Sequence, residues 1–116
     1  MMVMMDSTNG KVLATAPIGQ GTDGTEFDPA TQLAFSSNGE GTVTIAHEDA
    51  ADKLTVVQTL KTERGAKTMA LDHKTHRIYL ASAKFEPIPE PTSGAPRPRP
   101  KMIPNTLKIL VYGMEK

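Results

Sequence analysis

The sequence predicts an all-β protein built from a repeated unit. One motif occurs twice, at 23–35 and at 67–79, and both copies read apolar-Asp-x-x-Thr-x-x-x-aromatic around Asp28 and Asp72, which lie 44 residues apart. Short segments rich in β-branched residues and bounded by Gly, Asn and Asp surround both copies. No helical periodicity of useful length is present. Repetition at this spacing favours a propeller or a solenoid.

Composition narrows the class of protein. A chain of 116 residues is ordinarily one small domain, and aromatic residues at 4% with no Trp leave few large groups for a core of its own. The formal net charge of zero argues against a general nucleic-acid binder. The absence of cysteine excludes disulfides and thiolate metal sites. No apolar run approaches the ~20 residues of a membrane span.

Residues 1–18 predict a β-hairpin. Met2–Met5 is a short apolar strand, and Lys11–Ile18 is the strand that returns. Between them Asp6–Gly10 is a turn, because Asn-Gly readily takes the positive φ of hairpin turns. The N-terminus lacks the basic start and long apolar core of a signal peptide, and resembles a strand entered inside a longer ancestral reading frame.

Residues 19–60 predict four strands that contain the first motif. The loop Gly19–Gly24 leads into it, Ser37–Gly41 turns the chain, and His47–Asp52 is a further polar loop. The Asp and Thr of the motif suit its tight turn because their side chains can bond nearby backbone amides. The predicted strands are Thr25–Phe27, Leu33–Ser36, Thr42–Ala46 and Leu54–Leu60.

Residues 61–116 predict a second set of strands. A charged loop at Lys61–Ala66 precedes the second motif, and a proline-rich insertion at 85–104 holds seven of the nine prolines. Proline cannot donate to a strand ladder, so the insertion is either a long surface loop or, through Pro96–Pro100, a polyproline segment that binds a partner. The predicted strands are Thr68–Leu71, Arg77–Ala81 and Thr106–Tyr112.

Several segments resemble the C-terminal blades of YVTN-type (YncE-like) bacterial β-propellers. These are Asp28–Thr31, Asn38–Ile45 and Arg64–Asp72, and the insertion followed by Leu107–Val111 also fits the end of that family. Phe35–Asn38 stands where the family has its Tyr-Val-Thr-Asn signature. The resemblance implies a propeller fold and a periplasmic ancestor, whereas the chain is far too short for the seven blades of full-length members.

The resemblance also assigns strand positions in four-stranded blades, labelled A to D outward from the central channel. It implies C-D in 1–18, A-B-C-D in 19–60 and A-B-C in 61–116. A lone copy would expose strand edges and the apolar sides of two blades. We therefore expect a homo-oligomeric ring, in which the N-terminal D strand of one chain completes the last blade of the next. Two blades per chain give six blades in a homotrimer, the favoured state, or eight in a tetramer.

Three histidines and an aspartate form a candidate metal site. His73 and His76 lie in or just after the turn of the second motif beside Asp72, and His47 begins a C–D connection at the same end of the propeller. Neutral imidazoles with a carboxylate can bind Zn²⁺ or a similar divalent metal, which lowers the pKa of a bound water. The alternative is that Asp72, Thr75 and His76 only stabilise the turn.

Charged residues mark a candidate ligand site at the opposite end. The D–A loops contribute Asp23 and Glu26 from one blade, and Glu63, Arg64 and Lys67 from the next. Carboxylates and cations around the concave mouth of a channel are suited to binding a small molecule. Repeated carboxylates could also hold a cation or a raised pKa. The alternative is a solvated charged rim.

Two functions of different classes follow. The first is a homo-oligomeric binding or interaction scaffold with a ligand site at the central channel. The second is a metal-dependent, promiscuous hydrolase of activated esters or phosphoesters, in which metal-bound water attacks the substrate. Sensitivity to chelators separates them, and a truncated gene product without a selected function is a third possibility. Neither the fold nor the resemblance decides among these or fixes the compartment.

Overall fold

The computed structural model describes residues 1–85 and 101–113 of the chain. These residues are all-β, as predicted, and none of them forms a helix that is long and apolar enough to cross a membrane. The strands in the described ranges are β1 (Met2–Met5), β2 (Val12–Ala16), β3 (Thr22–Asp28), β4 (Leu33–Asn38), β5 (Thr42–Ala50), β6 (Lys53–Lys61), β7 (Met69–Asp72), β8 (Arg77–Ser82) and β9 (Lys108–Tyr112).

The strands pair only with their neighbours in sequence, in three antiparallel sheets of the described chain. The two-stranded sheet has the order β1-β2, the four-stranded sheet β3-β4-β5-β6, and the three-stranded sheet β7-β8-β9. Within each sheet, consecutive strands are therefore joined by hairpin turns, except that the proline-rich insertion joins β8 to β9. The two motif copies form the first hairpin of the four-stranded and of the three-stranded sheet.

The N-terminal hairpin confirms the turn predicted from Asn-Gly. Gly10 has φ of 74°, and its N–H donates to the carbonyl of Asp6 at 2.8 Å. The Asp6 carboxylate also accepts hydrogen bonds from the backbone and hydroxyl of Thr8. β1 has the predicted bounds, whereas β2 ends at Ala16, because Pro17 follows and has no N–H for the ladder.

The predicted loop at His47–Asp52 is wrong. β5 continues to Ala50, and β6 begins at Lys53, so that only two residues turn the chain. Within this hairpin His47 pairs with Thr55 on one side and with Leu33 on the other. The polar side chains of this hairpin are half-buried or exposed. Because this end of the hairpin faces water, polar residues can occupy it while the backbone hydrogen bonds between the strands are kept.

The four-stranded sheet lies between the other two sheets and separates two apolar clusters. Its front face, which carries Ala34 and Ala46, packs on Met2 and Ala16 of the two-stranded sheet. Its rear face packs on the three-stranded sheet, and the buried members of that cluster are Phe35, Val43, Ala66, Ile78 and Leu80. The alternation of neighbouring residues between the two faces is what a sheet covered on both sides requires.

The proline-rich insertion separates β8 from β9, as predicted. At its described ends, Phe85 pairs with Met102 in an isolated bridge, and the N–H of Ile103 donates to the carbonyl of Lys84. The Pro-Arg tract at 96–100 lies outside the described residues. β9 begins at Lys108, two residues later than predicted, because Thr106 instead bonds Lys84 and the carbonyl of Ile103.

Both outer sheets leave apolar groups uncovered. The two-stranded sheet covers the front face from β6 as far as Ala34 on β4, and Phe27 on the next strand, β3, is 41% exposed. On the three-stranded sheet, Ile109 and Val111 point away from the core and are 58% and 51% exposed. These surfaces have no covering partner among the described residues.

Candidate functional site

The two motif turns have the same geometry. In the first, the Asp28 carboxylate accepts the N–H of Ala30 at 3.1 Å and the hydroxyl of Thr31 at 3.0 Å. In the second, the Asp72 carboxylate accepts the corresponding N–H and hydroxyl at 2.9 Å each. The last residue of each turn has φ of 58°, in the left-handed region. The predicted role of Asp in these turns is confirmed, whereas the Thr hydroxyl donates to the Asp carboxylate and does not bond a backbone amide.

One histidine joins the two turns. His76 closes the second turn, and its Nδ1 lies 2.5 Å from Oδ2 of Asp28 in the first. A carboxylate can only accept, so Nδ1 carries the proton and donates it. The corresponding position in the first turn is Gln32. His76 therefore links the turn of the three-stranded sheet to the turn of the four-stranded sheet, and its role is not confined to its own turn.

Asp28 is buried and its carboxylate is stabilised in the ionised form. Only 1% of the residue is exposed. Burial raises the pKa of the Asp28 carboxyl, but hydrogen bonds from His76, Thr31 and the Ala30 N–H together outweigh it and lower the pKa below its ordinary value. The motif turns lie at one end of the sheets. Among the described residues, Asp28 is the most buried carboxylate at that end.

The candidate metal ligands do not converge within one chain. His47 lies inside β5 and not in a connection, and its Nδ1 is 2.8 Å from Oδ1 of Asp49. His73 is exposed in the second turn, next to Asp72, and His76 is directed to Asp28. In residues 1–85 and 101–113 no group of three or more His, Cys, Asp or Glu residues is placed to hold a metal ion. The metal site stays a prediction.

Glu63, at the opposite end, is held by two partners. Its Oε2 accepts the hydroxyl of Ser82 at 2.7 Å, and its Oε1 lies 2.5 Å from Nζ of Lys108 on β9. The hydrogen bond from Lys108, followed by that from Ser82, lowers the pKa of the Glu63 carboxyl. Glu63 thus fastens β9 to the loop before the second motif.

The other four candidate ligand residues do not form one cluster. The predicted loop position of Asp23 is wrong, because β3 begins at Thr22; Asp23 is exposed and accepts the hydroxyl of Thr68 at 3.5 Å. Glu26 lies in the middle of β3, opposite Phe35, and not in a loop. Lys67 accepts the hydroxyl of Ser37 through its carbonyl. Arg64 lines an open depression of about 450 Å³ whose other lining residues are Gln20, Gly21, Gly39 and Glu40.

A buried polar network that the sequence does not predict lies behind that depression. Asn38, predicted as a turn residue, ends β4 and is fully buried. Its carbonyl oxygen accepts the hydroxyls of Thr22 and Ser36, and its amide donates to Thr42 and Thr44. All four hydrogen-bonding positions of this amide are thereby used. Periodicity gives no signal for it, because Ser-Ser-Asn-Gly is typical of an exposed turn.

A cavity of about 430 Å³ lies between the four-stranded and three-stranded sheets beside β9. Ile45, Val57 and Leu60 line one wall, and Tyr112 and His76 line the other side. β9 is an edge strand, so the cavity lies where a fourth strand would extend its sheet.

Comparison with known proteins found no matching family model, no matching curated protein and no matching solved structure. The fold and the site define an all-β protein of stacked antiparallel meanders whose repeats are joined at their turns.

Proposed function

We propose that this protein is a non-catalytic binding scaffold, a segment of a β-propeller that is completed by other copies of itself. The stacked sheets would be successive blades. The strand order within each sheet matches the A-to-D assignment drawn from the family resemblance, with C-D, A-B-C-D and A-B-C in turn. Repeat architectures of this kind bury a continuous core only when each unit has neighbours on both sides.

One observation carries the proposal: the two outer sheets are incomplete at complementary places. In the described part of the chain, no strand of the two-stranded sheet covers Phe27, and no strand pairs with the outer edge of β9. Unpaired edges and uncovered apolar faces favour association. Closure into a ring removes both defects with a single kind of contact.

The number of strands in the chain limits how many blades each copy can supply. β1 and β9 both take the third position of a blade, so a four-stranded blade made from two copies has room for only one of them. With one withdrawn, each chain supplies eight strands, or two blades. A homotrimer then has six blades, a common closure number, and a tetramer has eight.

The ligand site of this scaffold would lie at the end where the loops before the two motifs meet. The depression lined by Arg64 and Glu40 offers both signs of charge, and exposed charged side chains follow its lining residues in sequence at Asp23 and Lys67. Mixed charge at a concave surface suits a small polar molecule. A ring would repeat this site once per chain.

Native mass spectrometry of the purified protein tests the proposal, because it counts subunits and bound metal together. A metal-free trimer or tetramer supports the scaffold. A monomer at micromolar concentration contradicts the assembly on which the proposal rests. Stoichiometric metal, lost with a chelator together with esterase or phosphoesterase activity, would favour the hydrolase instead, with His47, His73 and His76 as the residues to substitute.

A further inference from the structure

Resting on the proposed assembly, we infer that copies join head to tail through a repeat of the contact between the two motif turns, with Gln32 of one copy against Asp72 of another. The same junction packs Phe27 of the first copy on the rear face of the other copy's three-stranded sheet. The partner at this surface is a second copy of the chain.

The free rear face has the same pattern as a face that is already buried. In the four-stranded sheet, Phe35 and its neighbour Ile45 pack on the next sheet. The residue 44 positions after Phe35 is Tyr79, and its neighbour on β9 is Val111. Val111 is 51% exposed, although its counterpart Ile45 packs on the core. The next sheet is thus missing from this face.

The exposed part of the front face of the four-stranded sheet matches the exposed rear face of the three-stranded sheet. Leu71 of the second motif packs on the rear cluster of the preceding sheet. Its counterpart in the first motif is Phe27, which is 41% exposed, because the two-stranded sheet stops short of β3. A β7–β8 hairpin from a second copy would cover Phe27 as the four-stranded sheet covers Leu71.

The polar groups of the two turns also match across the junction. Within the chain, the first turn presents the Asp28 carboxylate to His76, the last turn residue of the following sheet. Among the described residues, the Asp72 carboxylate bonds only its own turn, and the side chain of Gln32, the last residue of the first turn, has no such partner; Gln32 is exposed with φ of 58°. The side-chain amide of Gln32 can donate to a carboxylate as His76 does.

At the junction, β9 of one copy and β1 of the other compete for one position. β9 places Leu110 and Tyr112 on the rear cluster, whereas β1 contributes one buried residue, Met2, to the front cluster. We therefore expect β1 to leave this position and β9 of the other copy to occupy it. The edge of β9 then faces β2 of the second copy, which runs antiparallel to it in the blade order.

Two variants that each block one face test the direction of the contact. Phe27→Lys places a charge on the front face, and Val111→Lys places one on the rear face. Met102→Lys is the matched control, because Met102 is also 51% exposed and lies in the insertion. Native mass spectrometry of each variant alone, and of an equimolar mixture of the first two, is read against circular dichroism as a check of folding.

Each blocking variant alone is expected to be monomeric, the control is expected to assemble as the unsubstituted chain does, and the mixture is expected to form a heterodimer and nothing larger. If either blocking variant still forms dimers, the contact joins like faces and the inference is overturned. An unsubstituted chain that is itself monomeric refutes the proposed assembly, whereas assembly that survives both substitutions refutes only this junction.

A second pair of variants avoids any risk to folding, because Gln32 is exposed in the monomer. Gln32→Glu sets a like charge against Asp72 and should raise the concentration at half-assembly by about tenfold, whereas Gln32→Lys should leave it unchanged or lower it. Equal effects of the two substitutions would overturn the turn contact.

Discussion

His76 donates to Asp28 at 2.5 Å, and this hydrogen bond joins the turn of one sheet to the turn of the preceding sheet. The pair is 48 residues apart in sequence, and its carboxylate is almost fully buried. Asp28 thus has two roles: it orders its own turn through Ala30 and Thr31, and it links this turn to the next sheet through His76. Among the described residues, Asp72 has only the first role, because its carboxylate bonds only Lys74 and Thr75 of its own turn.

Asp28→Asn should destabilise the protein more than Asp72→Asn. The two substitutions remove a carboxylate from the same place in equivalent turns, but only the first also loses the partner of His76 and leaves a poorly matched amide in a buried position. Urea unfolding followed by circular dichroism is the measurement, with a lower midpoint expected for Asp28→Asn. Equal midpoints would show that the link between the turns adds nothing to stability.

The same pair predicts how stability depends on pH. The pKa of Asp28 is lowered in the folded protein, so the unfolded chain binds the proton more readily. Its contribution is therefore present above the ordinary carboxyl pKa of about 4 and is lost as the pH falls through the lower folded value. The free energy of unfolding should drop less steeply below pH about 4 in Asp28→Asn than in the unsubstituted protein. An unchanged slope would contradict this role.

The turns and strands were largely predictable from the sequence because local chemistry determines them. The Asp of each motif accepts a backbone N–H two residues later and the Thr hydroxyl three residues later. The Asn9-Gly10 turn is likewise formed by contacts within its own hairpin. The His47–Asp52 segment was not predictable in this way. Its polar residues are equally suited to a loop and to the solvated end of a long hairpin, and pairing with β6 decides between them.

The sites were less predictable because their contacts are non-local. The spacing of His73 and His76 indicated a shared ligand set, yet His76 is directed 48 residues back along the chain. The sequence around Asn38 predicts a turn, yet hydroxyls from β3, from β4 itself and from β5 surround its side chain once the sheet has formed. Glu63 meets Lys108 only because β9 returns after the insertion. Such pairings depend on how sheets stack, which a single motif does not encode.

Gly19→Ala should destabilise the protein by about 1–3 kcal/mol, the usual cost of adding a methyl group to a closely packed site. A Cβ at Gly19 would lie 2.1 Å from Oε1 of Glu40 and 2.7 Å from Nδ2 of Asn38. Gly113→Ala is the matched control, because its nearest neighbour would be the Arg77 side chain at an ordinary 3.5 Å. Thermal unfolding of both variants is the measurement, and comparable losses would contradict the close packing at Gly19.

Asn38→Ala should be more damaging than any substitution of an exposed asparagine. It removes the shared partner of four hydroxyls, of which those of Ser36 and Thr44 are buried. Each buried polar group left unsatisfied costs about 1–3 kcal/mol. Asn9→Ala removes only a turn hydrogen bond to the exposed N–H of Lys11 and serves as the control. Urea unfolding should separate the two variants clearly. Because the network supports the loop that carries Glu40, hydrogen exchange at Gly39–Gly41 should also rise in Asn38→Ala and not in Asn9→Ala.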